Sequence, residues 1–185
     1  MAKACKEELE KHGVVVRMSR STDENDPVAD EVKECNAFKP DIAIDIHNNA
    51  GGGDGFEVYY WSDSKEGLNL ARLVEREVND IGQNSRGVKV GNELRFVNGT
   101  KCVAILTEGF FLDNATDRKV ADAITEQQAF GKAYARGILK YFGITPLINK
   151  ELYRVQIGAF NSKTNADKLA EDLKAKGYPA YVTKS

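Results

Sequence analysis

Residues 41–55 read DIAIDIHNNAGGGDG. Isoleucine occupies every second position from 42 to 46, and this period of two is typical of a strand with one apolar face. Asp45 and His47 alternate with the isoleucines, so both side chains point to the other face of that strand. Four glycines follow within five residues, and such a loop lets backbone approach a bulky ligand closely. The stretch therefore predicts a buried strand that ends in a polar cluster and a glycine-rich loop.

Helices and strands alternate on both sides of this strand. Apolar spacing predicts helices over 2–12, 28–38, 65–81 and 118–141, and strands over 14–18, 56–61, 94–97 and 102–109. This alternation predicts an α/β fold, with a mostly parallel twisted sheet flanked by helices.

A second polar side chain, Glu108, lies at the end of another predicted strand, in AILTEGFF at 104–111. Glu108 follows four apolar residues and precedes two phenylalanines, so partial burial should raise its pKa toward the range useful for proton transfer. Because ligands bind at the carboxyl ends of strands in such sheets, His47 and Glu108 are candidates for one shared site. The alternatives are a histidine satisfied by local hydrogen bonds and a carboxylate that pairs at the sheet edge. Asp113 and Asn114 read as turn residues.

Composition excludes several classes of function. The formal net charge is −2, which gives no reason to expect a nucleic-acid or membrane partner. No apolar run is long enough to span a bilayer, and the charged amphipathic N-terminal segment lacks the apolar core of a secretory signal. Cys5, Cys35 and Cys102 are odd in number and widely spaced, which argues against a disulfide framework and against a CxxC metal site.

The pattern changes near residue 143. The predicted organisation is a main domain over 1–143, a linker over 144–151, and a strand–helix–strand segment over 152–185. In that last segment Asn161 or Ser162 is the expected helix N-cap and Gly177 the C-terminal stop. A piece this small cannot bury a sufficient core alone, so it should pack on another surface.

Three stretches of the sequence carry a resemblance to a known family: DIAIDIHNNAGGGDGFEVYY, RGVKVGNELRFVNGTKCVAILTEGFFLDN and AYARGILKYFG. Together they resemble the type-3 N-acetylmuramoyl-L-alanine amidases, over about residues 2–143. The resemblance implies a six-stranded sheet and one catalytic zinc held by two histidines and a glutamate. On this basis His47 is the second histidine ligand and Glu108 the catalytic glutamate. Asn49 and the glycine loop are expected to line the substrate groove, and Glu57 to support the site without binding metal.

The sequence departs from the family at its start. In the family, the first histidine and the glutamate ligand precede the first helix, whereas this sequence begins within that helix. His12 lies beside Gly13 near a helix end and is no substitute, and Glu7 and Glu8 match no ligand position. We therefore expect the first strand and two ligands to be missing, which makes zinc binding and activity of this chain uncertain. A missing strand should also leave a sheet position unfilled, which predicts poor stability or self-association.

The tail, LYRVQIGAFNSKTNADKLAEDLKAKGYPAYV, resembles the first half of a sporulation-related repeat (SPOR) domain, which binds glycan strands stripped of stem peptides. The resemblances together imply a zinc-dependent amidase that cleaves the muramoyl–alanine bond of peptidoglycan in sporulation, division or lysis. The alternative is a non-catalytic peptidoglycan-binding remnant, and a different zinc hydrolase is disfavoured by the tail. The expected place of action is the cell wall or exterior, or the mother-cell cytoplasm before lysis.

Overall fold

A computed structural model describes residues 1–22, 25–146, 157–178 and 180–183. The chain divides into two compact units, Met1–Leu147 and Ile148–Ser185. No helix in the described parts of the chain is long and apolar enough to cross a membrane.

The larger unit is built on a four-stranded sheet of order β1-β4-β2-β3. Its strands are β1 (Ile42–Asn49), β2 (Phe56–Tyr60), β3 (Ser85–Val90) and β4 (Val103–Phe111). β1 pairs parallel with β4 and β2 pairs parallel with β3, while β2 and β4 are antiparallel. The predicted mostly parallel α/β sheet is confirmed, with four strands among the described residues.

Six helices among the described residues belong to the same unit. They are α1 (Ala2–Glu10), α2 (Val28–Phe38), α3 (Lys65–Asp80), α4 (Arg95–Gly99), α5 (Ala115–Ala121) and α6 (Ile124–Tyr141). The core lies between one sheet face and helices α1, α3 and α6, and its fully buried side chains include Phe56, Val58, Leu70, Val74, Ile105, Phe110, Tyr134 and Ile138.

Two glycines of α6 allow these helices to pack closely. A Cβ on Gly131 would lie 2.3 Å from the carbonyl oxygen of Met1, at the start of α1. A Cβ on Gly137 would lie 2.7 Å from Cα of Val74 in α3. Both contacts are with backbone, which cannot move aside as a flexible side chain can. The glycines therefore fix how near α6 lies to its two neighbours.

Three predicted elements are wrong. Residues 14–18 have strand composition but form no strand, because no strand of the described residues pairs with them. The predicted strand at 94–97 is instead the start of α4, and the predicted long helix from Arg118 is two helices separated at Asp122–Ala123. Strand β3 was not predicted, since SRGVKV has neither a long apolar run nor clean alternation.

An open cleft lies where strand pairing is absent. β1 pairs only with β4 among the described residues, so its other edge is free. Beside that edge is a cavity of about 660 Å³, bounded by residues 14–20, α2 and β1. Ile42, Ile44 and Ile46 line it and are only half-buried, and Val15 on the opposite wall is 84% exposed.

The smaller unit contains one described helix, α7 (Lys163–Ala175). Ser162 is its N-cap residue, and Gly177 has a φ of 85° just after the helix, as the stop signal predicted. The predicted flanking strands lie partly outside the described residues; 157–160 and 180–183, which are described, have no strand. Ile157, Phe160, Tyr178 and Tyr181 are all exposed, so the described residues of this unit bury few apolar side chains.

Candidate active site

The candidate site is a row of three paired residues on neighbouring strands of the sheet: His47, Glu108 and Glu57. His47 of β1 is the register partner of Glu108 in β4, and Glu108 is in turn the partner of Glu57 in β2. Residues paired in this way project from the same sheet face. That face is opposite to the one that packs on α1, α3 and α6, because the core residues Phe56 and Val58 flank Glu57. The two residues singled out from the sequence are therefore direct neighbours.

The His47 ring is held by its own strand. Its Nε2 lies 3.0 Å from Oδ1 of Asp45, two residues earlier on the same face, and the histidine side chain is 46% exposed. The hydrogen bond to Asp45 raises the pKa of His47; burial opposes this, while the charges of Asp45, Glu108 and Glu31 add to the increase. With Nε2–H donated to Asp45, the lone pair of the neutral ring lies on Nδ1. A carboxylate that orients an imidazole in this way is typical of metal-binding histidines.

Glu108 is a half-buried carboxylate with unused bonding capacity. Its Oε2 is buried and has no hydrogen-bond partner among the described residues. Burial raises the pKa of Glu108, the nearby His47 opposes the increase, and Glu57 and Asp45 add to it by charge repulsion. A buried, unpartnered carboxylate is costly for stability and is a common feature of groups that transfer protons.

Glu57 has the opposite environment. It is only 3% exposed and accepts hydrogen bonds from Arg86 Nε at 2.6 Å, Lys89 Nζ at 2.5 Å, Tyr59 Oη at 2.6 Å and Asn49 Nδ2 at 3.1 Å. Burial alone would raise its pKa, but these donors outweigh burial and lower the pKa to about 2. The pKa values of these two carboxylates are thus shifted in opposite directions, down for Glu57 and up for Glu108.

Asn49 has both ends of its amide engaged within the protein. Its Nδ2 donates to Glu57 and its Oδ1 accepts from the backbone N–H of Ala50 at 2.8 Å. The side chain thereby joins the end of β1 to the Glu57 cluster. A ligand that bound Asn49 would have to share or replace one of these bonds.

The glycine loop is anchored by Asp113, Asn114 and Asp117, none of which was predicted to belong to the site. The backbone N–H groups of Gly51 and Gly52 both donate to Asp113 Oδ2 at 2.8 Å. Asp117, which is 4% exposed, accepts from the N–H groups of Gly55 and Phe111, each at 2.8 Å. Asn114 caps α5 and also donates to the carbonyl of Gly53 at 3.1 Å. The only sequence signal was the turn composition after β4, which does not reveal contacts across about 60 residues.

The described residues do not make a complete metal site. A catalytic zinc needs three protein ligands and an open position. Among the residues that the structure describes, no group of three or more His, Cys, Asp or Glu side chains is placed to hold a metal ion. His12 is remote from the row, with its Nδ1 2.9 Å from the carbonyl oxygen of Glu8 within α1. His47 with Asp45 has the chemistry of one ligand and its support, so these residues alone do not fit a catalytic zinc.

Comparison with known proteins places this geometry in a family. Residues 1–140 match the N-acetylmuramoyl-L-alanine amidase family, and residues 149–185 match the SPOR domain. The chain is 30% identical over 175 residues to the sporulation-specific N-acetylmuramoyl-L-alanine amidase of Bacillus subtilis (strain 168), and 32% identical over 175 residues to the N-acetylmuramoyl-L-alanine amidase CwlM of Bacillus licheniformis. Each alignment covers 94% of this chain and 68% of the relative.

A solved structure supports the same fold. The catalytic domain of CwlV, an N-acetylmuramoyl-L-alanine amidase from Bacillus (Paenibacillus) polymyxa var. colistinus, superposes with a TM-score of 0.72 at 23% identity. The match covers 78% of this chain and 82% of that one. Members of the matched family are generally zinc-dependent. With its α/β sheet and its match over residues 1–140, the chain belongs to the N-acetylmuramoyl-L-alanine amidase family.

Proposed function

We propose that this chain acts on the amide between N-acetylmuramic acid and L-alanine in peptidoglycan, and that Glu108 is its proton-transferring group. The observation that carries the assignment is the buried, unpartnered Oε2 of Glu108 directly beside His47. Hydrolysis adds water across the C–N bond, leaving a carboxylate on the lactyl group and a free amino group on alanine. Glu108 would accept a proton from water and pass it to the departing amine, a role that its raised pKa favours.

His47 is proposed as the metal ligand that this chain contributes. Support comes from its Asp45 partner, which fixes the ring and leaves one nitrogen for a metal. Because the family is generally zinc-dependent, zinc is the metal to test for. The described residues contain no set of three metal ligands, so the proposed proton transfer is assigned to Glu108 and not to a metal. Asn49 and the glycine loop are proposed to border the substrate groove, because they end the strand that carries His47.

The test is release of alanine amino groups from purified peptidoglycan by the purified chain, with bound zinc measured in parallel. We expect release, with Glu108→Gln lowering the rate about 100-fold or more and His47→Ala lowering both the rate and the zinc content. Glu126→Gln, which removes an exposed carboxylate on α6, is the matched control and should change neither. Unchanged release in both site variants would remove the site assignment.

A non-catalytic peptidoglycan-binding protein is the second candidate. The specific observation that favours it is the incomplete set of metal ligands among the described residues. It predicts co-sedimentation of the chain with peptidoglycan, no release of amino groups, and no stoichiometric zinc. The same samples therefore separate the two functions, since the first requires release and the second excludes it.

The C-terminal segment is proposed to add binding to the wall polymer. We assign residues 1–143 to the amidase domain, 144–151 to a linker and 152–185 to a partial SPOR-like module, in keeping with the match over 149–185. Glycan strands stripped of stem peptides are the proposed ligand, because they are what amidase cleavage leaves behind. The action of such a protein is on the cell wall or outside the cell; release from a lysing mother cell is the proposed route.

Self-association is proposed to occur along β1. No strand in the described part of the chain pairs with the outer edge of this eight-residue strand, whose isoleucine face is half-buried, and edges of this kind pair readily with other strands. The cleft of about 660 Å³ beside the edge has room for an added extended segment. The occupant that we propose is a segment of a second copy of this chain.

A further inference from the structure

Two of the three cysteines come together although they are distant in the sequence. Sγ of Cys35, in the last turn of α2, lies 3.9 Å from Sγ of Cys102, just before β4. Both side chains are free thiols and half-buried, whereas Cys5, a residue of α1, is buried in the core. Wide sequence spacing argued against a disulfide framework, but it says nothing about pairs made by the fold.

The backbone on each side of this pair is held in register. Asn36, which follows Cys35, donates through Nδ2 to the carbonyl of Gly99 at 2.9 Å. Its Oδ1 accepts from the backbone N–H of Lys101, which precedes Cys102, at 2.7 Å. A bonded sulfur pair is separated by about 2.0 Å, so closure requires the two sulfurs to approach by about 2 Å. Rotation of the side chains with a small shift of α2 supplies such a movement.

α2 packs on α4, where Val32 lies against Gly99, but the helix stays near the surface. None of its residues is buried, so no apolar face anchors it in the core. Yet it forms one wall of the open cleft and carries Glu31, whose carboxylate interacts electrostatically with Asp45 and His47. A covalent bond from Cys35 to Cys102 would join this wall to the strand that bears Glu108.

We propose that Cys35 and Cys102 form a reversible intramolecular disulfide when a low-molecular-weight disulfide such as oxidised glutathione is present, and that this bond clamps α2 to the start of β4. The inference goes beyond the amidase function and does not depend on it. One cysteine thiolate attacks the oxidant's S–S bond and releases one glutathione thiol. The other thiolate then attacks the mixed disulfide, forms the Cys35–Cys102 bond and releases the second thiol. The protein loses two thiol protons and two electrons, and the oxidant gains them.

The surroundings of the thiols set the conditions of the reaction. Burial raises the pKa of Cys35, and burial together with the neighbouring Cys35 raises the pKa of Cys102 to about 12. Because the thiolate is the attacking species, exchange should be slow near neutral pH and faster in alkaline buffer. The pair is therefore expected to respond to sustained oxidation rather than to brief exposure.

The test treats the folded chain with oxidised glutathione at a pH of about 8.5, then alkylates it and digests it without reduction. Mass spectrometry should find the peptides of Cys35 and Cys102 joined, with Cys5 alkylated. The melting temperature should rise by about 5–10 °C and return after reduction. Cys35→Ser should abolish the cross-link and the rise, whereas Cys5→Ser should keep both.

The cross-link is read in the unchanged chain, so the result does not depend on how the variants fold. Glutathione left on Cys35 or Cys102 without the joined peptides would overturn the proposal. A bond that appeared only after unfolding in urea, or one that involved Cys5, would overturn it as well. Loss of wall hydrolysis in any variant would bear on the proposed function and not on this pair.

Discussion

At the scale of single residues, the contrast between Glu57 and Glu108 defines the chemistry of the site. They are register partners on neighbouring strands, yet one carboxylate has four donors and the other has a bare oxygen. Glu57 consequently keeps its charge over the physiological range, and that charge makes ionisation of Glu108 less favourable. Ionisation is therefore favoured at Glu57 and opposed at Glu108, which faces His47.

Glu57→Gln tests this division through stability. The pKa of Glu57 in the folded protein is about 2, below its ordinary value of 4.5, so its ionised form stabilises the fold above about pH 5. At pH 7 the variant should lose about 2 kcal/mol; this is less than the pKa shift alone would give, because Arg86 and Lys89 are 40% and 36% exposed. As the pH falls toward 2 the wild type loses the same contribution, so the difference should vanish.

Urea unfolding of both proteins at pH 7 and near pH 3 measures the prediction. Glu126→Gln, on the exposed face of α6, supplies a carboxylate replacement with no bonding cluster and should match wild type at both values. A difference between wild type and Glu57→Gln that stayed constant or grew on acidification would contradict the ionised state assigned to Glu57.

At the scale of elements, strand-forming residues became strands only where a partner was present. Residues 14–18 and 42–49 are both rich in β-branched residues, but only the second segment has a neighbour, β4, to receive its backbone hydrogen bonds. The same reasoning explains β3, which pairs with β2 despite weak alternation. Pairing is a long-range property, so local pattern predicted β1 and β4 well and these others poorly.

Like the strands, the site was predictable only where it depends on local sequence pattern. His47 and Glu108 were found because each ends an apolar strand, and their meeting follows from parallel pairing of β1 with β4. Two of the four donors to Glu57, Arg86 and Lys89, come from β3, which was not predicted, and the anchors of the glycine loop come from α5 and the turn before it, about 60 residues away. No spacing in the sequence reveals such contacts, because they depend on which elements the fold brings together.

The short helix α5 is expected to control the glycine loop through Asp117. Its buried Oδ2 accepts from the N–H groups of Gly55 and Phe111, so it joins the loop to the end of β4. Asp117→Ala would leave two buried donors unpaired and should cost about 2–4 kcal/mol. Asp113→Ala removes comparable bonds to Gly51 and Gly52 at an exposed position and should have a much smaller effect.

Hydrogen exchange read at the loop separates the two substitutions. In Asp117→Ala the amides of Gly55 and Phe111 should both lose protection, together with a lower urea midpoint. In Asp113→Ala the faster exchange should be confined to Gly51 and Gly52. Equal destabilisation by the two variants would argue against burial as the reason for the importance of Asp117.

At the scale of the whole molecule, the open edge of β1 is the feature with the largest consequence. Among the residues that the structure describes, no strand pairs with the outer edge of β1, which carries His47, and the segments 14–20 and α2 beside the cleft have no buried residue. A structure of this kind gains stability when the edge is paired, since backbone groups and apolar surface are covered together. Pairing with a second copy would also bring new residues next to His47, at the end of the strand where the site lies.

Ala43→Lys is the substitution that tests pairing along this edge. Ala43 lines the cleft and lies on the opposite face of β1 from the isoleucines, so a lysine there places charge at the edge without entering the core. We expect the unmodified chain to show a mass above that of the monomer in light scattering at micromolar concentrations, and Ala43→Lys to be monomeric. Gln128→Lys adds the same charge on exposed α6 and should associate like wild type. If the unmodified chain is a monomer at all concentrations, no second copy occupies the cleft. If Ala43→Lys still associates, the contact lies elsewhere. Either result would show that pairing along β1 is wrong.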